Sequence, residues 1–425
     1  MTISRRQVIA GAGAGVGALV IGAPAVLGQA KPRVVVIGGG PGGATAAKYI
    51  AKDSQGKIDV VLVEPQKEFV TCFHSNLYLG GFKKFEEITH KYDTLAKKYG
   101  IKLNHQAATA IDRDKREVVL ADGSRLPYDR VVVAPGIDLK YDSVPGWSKE
   151  AETKMPHAWK AGEQTKILKA QLDAVPDGGT VVMIAPPNPY RCPPGPYERV
   201  SMMAHTLKAA GKNKAKIIVL DPKPKFSKQG LFMEGWEKYY RGMVEWISPD
   251  IHSGIKSVDP KSMTVVTGFE TYKNCALVNV IPAQMAGAIA HQAKLADKSG
   301  FCPIDATSMR SKADGNIFVI GDASIAGEMP KSGFAANSQA KVAAMAVRGD
   351  LIKSRVFPAR YANTCWSLIE TGDVVKVGGT YEAKDGKIAS TSGFISKTKE
   401  PADLRKQNDQ ENMGWYAGIA TDIFG

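Results

Sequence analysis

The sequence has little of what several function classes require. After residue 30 no stretch is long and apolar enough to span a membrane, so stable membrane insertion is not expected. No C-x-x-C-H occurs, which leaves no attachment site for c-type haem on this chain. His74 and His90 lack metal-ligand spacing, and no metal is expected. No dense Lys/Arg run is interleaved with aromatics, which argues against nucleic acid. There is no internal repeat and no low-complexity linker. Cysteines are few: Cys72, Cys192, Cys275, Cys302 and Cys365. Five is odd, so at least one is left outside any pairing.

What is present points to an exported, multi-domain protein. At 425 residues the chain is too long for one small core. Its formal charge is +14, which suits an anionic substrate or an acidic partner. The lysine-rich stretch "KAAGKNKAKIIVLDPKPKFSK" reads as a solvated face. The N-terminus, "MTISRRQVIAGAGAGVGALVIGAPAVLGQA", places Arg5 and Arg6 before an uncharged Gly/Ala-rich run closing on "GQA". Its glycines and Pro24 suit a cleaved twin-arginine export signal over residues 1–30 better than a spanning helix. Removing Arg5 and Arg6 with it takes the charge from +14 to +12. A periplasmic location follows as the expectation, and cysteine pairs are plausible there.

"KPRVVVIGGGPGGATAAKYIA" then reads as a buried strand, a G-x-G-x-x-G turn at Gly38, Gly40 and Gly43, and a closely packed helix. "KIDVVLVEP" is the next strand and ends in Glu64, 21 residues beyond Gly43. The glycines let the backbone approach a pyrophosphate, the helix N-terminus attracts it, and Glu64 suits ribose hydroxyls. "YDRVVVAPGID" is a strand running into Pro135-Gly136. "GNIFVIGDASIAGEMPKSGFAANSQA" is a strand ending in Gly321-Asp322, followed by a helix. These two resemble the accessory motifs of the two-dinucleotide-domain flavoproteins. That resemblance implies FAD, with Asp322 on the ribitol and a helix N-terminus with Lys331 at the flavin pyrimidine edge.

"GGTVVMIAPP" and "KAKIIVLDPKPKF" repeat the strand–turn–helix–strand layout, with "YERVSMMAHTLKAAGK" as the helix. Where a second glycine loop belongs, the chain has Ala185-Pro186-Pro187-Asn188-Pro189-Tyr190. Prolines lack the N–H donors a phosphate needs. The fold is read as kept and the nicotinamide site as lost. The tail from Phe357 suggests a short helix, then a small sheet, then a polar ending.

"FVTCFHSNLYLGG", "YRCPPGPYER" and "ANTCWS" resemble the flavoprotein subunit of flavocytochrome c sulfide dehydrogenase, across essentially the whole mature chain. The resemblance implies FAD held through a thioether to Cys72. It implies a redox disulfide between Cys192 and Cys365, and a separate cytochrome c subunit carrying the haem. Sulfide would be oxidised to polysulfide or sulfur. Cys192 sits where a nicotinamide would approach, so sulfur chemistry replaces hydride donation. Cys365 is taken as the flavin-proximal sulfur and Cys192 as the sulfur carrier. Glu198 either handles protons or makes a plain salt bridge at a helix start. Arg191 is read as a surface arginine, with attraction of HS⁻ as the alternative. Cys275 and Cys302 either bridge or remain two buried thiols; the bridge is the expectation. Trp415 and Tyr416 line the flavin edge or the cytochrome interface, or simply pack.

The expected fold is α/β: two Rossmann-like, glutathione-reductase-like domains plus a small α+β domain. The expected boundaries are 31–145 and 286–356 for a split FAD-binding domain, 146–285 for the second domain and 357–425 for the C-terminal one. The rivals are a sulfide:quinone oxidoreductase, an NAD(P)H-dependent reductase, and a non-catalytic flavin electron carrier. The polar ending speaks against the first and the proline-filled turn against the second.

Overall fold

A computed structural model describes residues 31–425; the expected export signal lies outside the described residues. The first sheet has five parallel strands in the order Ile317–Val319, Arg130–Val133, Arg33–Ile37, Asp59–Val63, Lys102–Asn104. Val34, Val35 and Val36 are wholly buried, as β-branched runs in a parallel sheet covered on both faces must be. One strand of this sheet comes from near residue 318, so chain segments far apart in sequence build one layer.

The helix Pro41–Ser54 starts with proline, whose missing N–H costs nothing there. It packs on the helix Gly333–Ile352. Both contribute small buried residues, among them Gly42, Ala44 and Ala47 against Ala336, Ala340 and Ala343. Small side chains let the two backbones come close.

A second parallel sheet runs Val244–Ile247, Lys216–Leu220, Thr180–Ile184, Leu277–Val280, with the helix Gly195–Ala209 between its inner strands. This is the second dinucleotide-like layout expected from the sequence. The lysine-rich stretch that crosses it is not simply a solvated face. Lys223 and Lys228 are buried, because their ammonium groups reach inward to Asp221 and to backbone carbonyls.

The tail departs from expectation. Phe357–Ala359 lead directly into the long strand Arg360–Glu370, with no short helix before it. That strand pairs antiparallel with Asp373–Lys384, which pairs with Lys387–Ile395. The polar ending is a 23-residue helix, Ala402–Phe424. Its inward positions are Arg405, Asn408, Asn412, Tyr416, Ile419 and Ile423, at helical spacing. Arg405 meets Asp373, Glu400 and Glu234, and Asn408 donates to the Val374 carbonyl.

The far end of this helix closes onto the first sheet's helices. Lys48 Nζ donates to the carbonyls of Thr421 and Asp422, both at 3.0 Å, where the helix dipole is negative. Asp422 also accepts from Tyr49 and Asn337. Among the described residues no helix is long and apolar enough to cross a membrane.

Candidate active site

The glycine turn is built for close approach. Gly38 has φ +99°, and a Cβ there would sit 2.3 Å from the Ala134 carbonyl oxygen. At Gly43 a Cβ would stand 1.8 Å from the Gly38 oxygen, so strand, turn and helix interlock only as glycine. Gly40 caps the helix with no side chain over its N-terminus. Glu64 holds the turn, accepting Gly39 N–H at 2.8 Å and Gln66 N–H at 2.9 Å. Gly136 lies at φ +67°, beyond the strand Arg130–Val133.

On the other side, Gly321 N–H is taken by Gln339. Asp322 is buried, its Oδ1 has no partner, and burial raises its pKa. An unpartnered buried carboxylate oxygen beside an open glycine turn fits the hydroxyl-rich linker of a dinucleotide. Lys331 Nζ donates to the carbonyls of Asp322 and Ser324, and burial lowers its pKa to about 8. The helix Gly333–Ile352 begins two residues later, capped by Ser332.

A cavity opens at the N-terminus of that helix, where Ser332, Gly333 and Phe334 form part of its wall. Cys72, Cys192, Glu198, Cys365, His74 and Trp415 all line it, with Arg191. Four distant chain segments thus converge, and the sequence-selected residues Cys72, Cys192, Glu198 and Cys365 stand together. Cys72 follows the short strand Glu68–Val70, and burial raises its thiol pKa.

Cys192 stands at φ +58°, in the left-handed region that a non-glycine residue adopts only when held. Its N–H donates to the Lys331 carbonyl at 2.8 Å, and its carbonyl accepts Gly195 N–H. The proline-rich turn is thereby fastened to the segment preceding the helix Gly333–Ile352. Burial pushes the Cys192 thiol well up, and Cys365, Glu198 and Cys72 push it further.

Cys365 lies on the strand Arg360–Glu370, and Asn363 Nδ2 reaches its Sγ at 3.5 Å. Burial raises its pKa too, opposed by Lys228 and the Asn363 hydrogen bond. Glu198 is buried on the first turn of its helix and accepts from Asn76 Nδ2 at 2.8 Å and Leu368 N–H at 3.0 Å. Burial raises its pKa. It forms no salt bridge among the described residues.

Some expectations are corrected. Arg191 is half-buried and lines the cavity, donating to the Trp159 carbonyl and lying over the Trp159 ring, because the proline turn folds it inward. All five cysteines are unbonded in this structure, so Cys192 and Cys365 share the cavity as two thiols and not as the expected disulfide, and Cys275 and Cys302 are separate buried thiols, Cys275 Sγ contacting the Tyr272 carbonyl and Cys302 sitting on another strand. Of the alternatives open for the two tail aromatics, Tyr416 takes packing: it stacks on His74 at 4.2 Å and bonds Thr71 and His90 beneath the Cys72 segment. Trp415 is on the cavity wall, 5.1 Å from Trp366.

Three residues escaped sequence reading. Asn76 bridges Glu198 and Arg199. Arg199 is buried, donates to the carbonyls of His157 and Ala158, and has its pKa lowered by burial to about 9. Lys228 donates to the Cys365 carbonyl, Ser367 Oγ and the Val375 carbonyl. Asn76 and Arg199 stood within the quoted cysteine and glutamate motifs, four residues after Cys72 and one after Glu198. Lys228 carried no signal among its lysine neighbours.

Residues 165–282 match the family model described as sulfide dehydrogenase [flavocytochrome c] flavoprotein chain, central. Residues 357–424 match flavocytochrome c sulphide dehydrogenase, flavin-binding, and residues 32–177 match pyridine nucleotide-disulphide oxidoreductase. The sulfide-quinone reductase of Aquifex aeolicus is 28% identical over 236 residues, 54% of this chain and 52% of the relative. The mitochondrial sulfide:quinone oxidoreductase of Dictyostelium discoideum is 21% identical, over 69% of this chain and 65% of the relative. The chain thus spans between half and two thirds of those relatives. The sulfide dehydrogenase [flavocytochrome c] flavoprotein chain of Chlorobaculum thiosulfatiphilum is 59% identical over 44 residues, 10% of this chain and 90% of the relative. The solved sulfide:quinone oxidoreductase of Aquifex aeolicus shares the fold, with TM-score 0.70, 19% identity and 92% of each chain covered. With two of its segments matching that family's own models, the chain belongs to the flavocytochrome c sulfide dehydrogenase flavoprotein family.

Proposed function

We propose that this chain oxidises sulfide at a redox disulfide between Cys192 and Cys365, with FAD tethered to Cys72. The observation that carries the reading is that Cys72, Cys192, Cys365 and Glu198 line one cavity. Bound FAD supplies the two-electron acceptor that can release electrons singly to a one-electron partner. The glycine turn at Gly38–Gly43, Glu64, Asp322 and Lys331 would hold it.

The protein's own part is sulfur and proton chemistry. HS⁻ attacks Cys192 Sγ, the Cys192–Cys365 bond breaks, and Cys365 leaves as thiolate. Cys192 keeps the added sulfur as a persulfide, and the electron pair of the broken bond resides on Cys365. Cys365 suits the leaving role because Lys228 and Asn363 counter the burial that raises its pKa, whereas Cys192 faces Glu198, Cys72 and Cys365. Glu198, with its pKa raised, takes the proton from H₂S or the persulfide. Phe73, Trp159, Phe334, Trp366 and Trp415 give the cavity an aromatic wall only in part, since most of them are half-buried.

Electrons would leave to a cytochrome c subunit, and the product would be polysulfide or sulfur. Export to the periplasm by the twin-arginine route completes the reading. A quinone acceptor is the second reading, favoured by the two longer relatives, both named for sulfide and quinone. The test is anaerobic addition of sulfide, then of NADH, to separate samples of the flavin-loaded chain. Bleaching of the flavin by sulfide alone is expected. Bleaching by NADH, or indifference to sulfide, overturns the reading. Reoxidation by cytochrome c but not by a soluble quinone then separates the two acceptors.

A further inference from the structure

Lys228 is 5% exposed and precedes the helix Gln229–Tyr239 at φ +62°. Its ammonium donates to three neutral acceptors: the Cys365 carbonyl at 3.1 Å, Ser367 Oγ at 2.8 Å and the Val375 carbonyl at 3.2 Å. Among the described residues it forms no ion pair. A buried cation without a counter-ion is costly, and a neutral residue would satisfy carbonyls as well.

The strand geometry says where a counter-charge would arise. Asn363, Cys365 and Ser367 alternate onto one face of the strand Arg360–Glu370. Lys228 bonds the Ser367 hydroxyl on that face, and Asn363 contacts Cys365 Sγ on it. The other charged groups facing Lys228 are Glu198, Cys192 and Arg405. Glu198 is engaged by Asn76 and Leu368. Arg405 is already matched by Asp373, Glu400 and Glu234. Of the two thiols, that of Cys365 belongs to the residue that Lys228 itself bonds, so its ionisation would give Lys228 a partner on the same strand.

We propose that Lys228 is a positioning residue that holds negative charge on Cys365, making Cys365 the leaving thiolate and directing sulfide to Cys192. The proposal rests on the disulfide reading above. Loss of the ammonium would leave only the hydrogen bonds from Asn363 and Ser332 to oppose burial of the thiolate, and the direction of attack would no longer be fixed.

The test uses the flavin-loaded chain in a Cys192→Ser background, so that Cys365 is a free thiol. Iodoacetamide labelling of Cys365 is followed by mass spectrometry against pH. Lys228→Met is expected to raise the labelling midpoint by about one pH unit, a tenfold loss of thiolate at a given pH. Lys228→Arg should restore it, and Lys228→Gln, which keeps a donor but no charge, should behave like Lys228→Met. Unchanged midpoints in Lys228→Gln overturn the proposal, because that variant retains the hydrogen bonding. If Lys228→Met loses its flavin, Lys228→Gln alone decides. The midpoint does not depend on turnover, so it stands or falls apart from the disulfide reading. That reading is tested separately by sulfide reduction of the flavin with Cys192 intact.

Discussion

Glu198 accepts the backbone N–H of Leu368 at 3.0 Å, across 170 residues of chain. One carboxylate therefore fastens the helix that follows Cys192 to the strand that carries Cys365. Its second oxygen is held by Asn76, on the short helix after Cys72. The segments of Cys72, Cys192 and Cys365 all meet at this side chain, which ties the cavity's walls together.

Glu198→Gln should keep the fold and slow sulfide-dependent flavin reduction by about a hundredfold, if the carboxylate moves protons. The pH dependence of stability checks the buried state. Burial raises the pKa, so the folded chain binds this proton more tightly than the unfolded one. Its stabilising effect is full below the ordinary carboxylate range and is lost as pH rises through that range to the raised value. Thermal melts of Glu198→Gln should lack that decline.

Cys72 carries the tether in this account. Acid denaturation of the wild-type chain should leave yellow colour on the polypeptide. In Cys72→Ser the colour should pass into the filtrate. Colour released from both proteins would remove the tether from the account.

Gly43→Ala should cost at least about 1–3 kcal/mol by overpacking, since the added methyl meets a backbone oxygen that cannot swing aside. Urea unfolding and flavin content should both report the loss. Normal flavin loading would contradict the close-approach role of this turn.

Asp422 pins the final helix through Lys341, Tyr49 and Asn337, and these hydrogen bonds lower its pKa against the effect of burial. Asp422→Asn should cost about 1 kcal/mol, a value reduced for partial exposure. Because the pKa is lowered in the fold, the stabilisation is present above the ordinary carboxylate range and disappears as pH falls through the lowered value. The melting difference between variant and wild type should shrink accordingly in acid.

Much of this was legible in residue order. The glycine turn and Glu64 announce themselves by spacing, because a turn that packs strand against helix so closely tolerates few alternatives, whereas Gly136, Gly321 and Asp322 are legible only through the resemblance. The proline-filled second turn was equally plain. The final helix was not, because its inward positions begin with Arg405, Asn408 and Asn412, which hide the usual apolar stripe. The small sheet of the tail is legible in its alternating apolar residues, but the short helix expected before it is absent, since Phe357–Ala359 run straight into the strand Arg360–Glu370. Lys228 was unreadable for another reason: seven lysines between residues 208 and 228 look alike, and only the fold decides which are buried.

The most direct test of the central claim is the rate at which sulfide reduces the flavin in a single anaerobic turnover, compared among wild type, Cys192→Ser and Cys365→Ser. The account predicts rapid bleaching in wild type and none on that timescale in either variant, since each lacks the disulfide that sulfide must open. Bleaching at the wild-type rate in either variant would show that sulfide reaches the flavin without that disulfide, and would contradict the account.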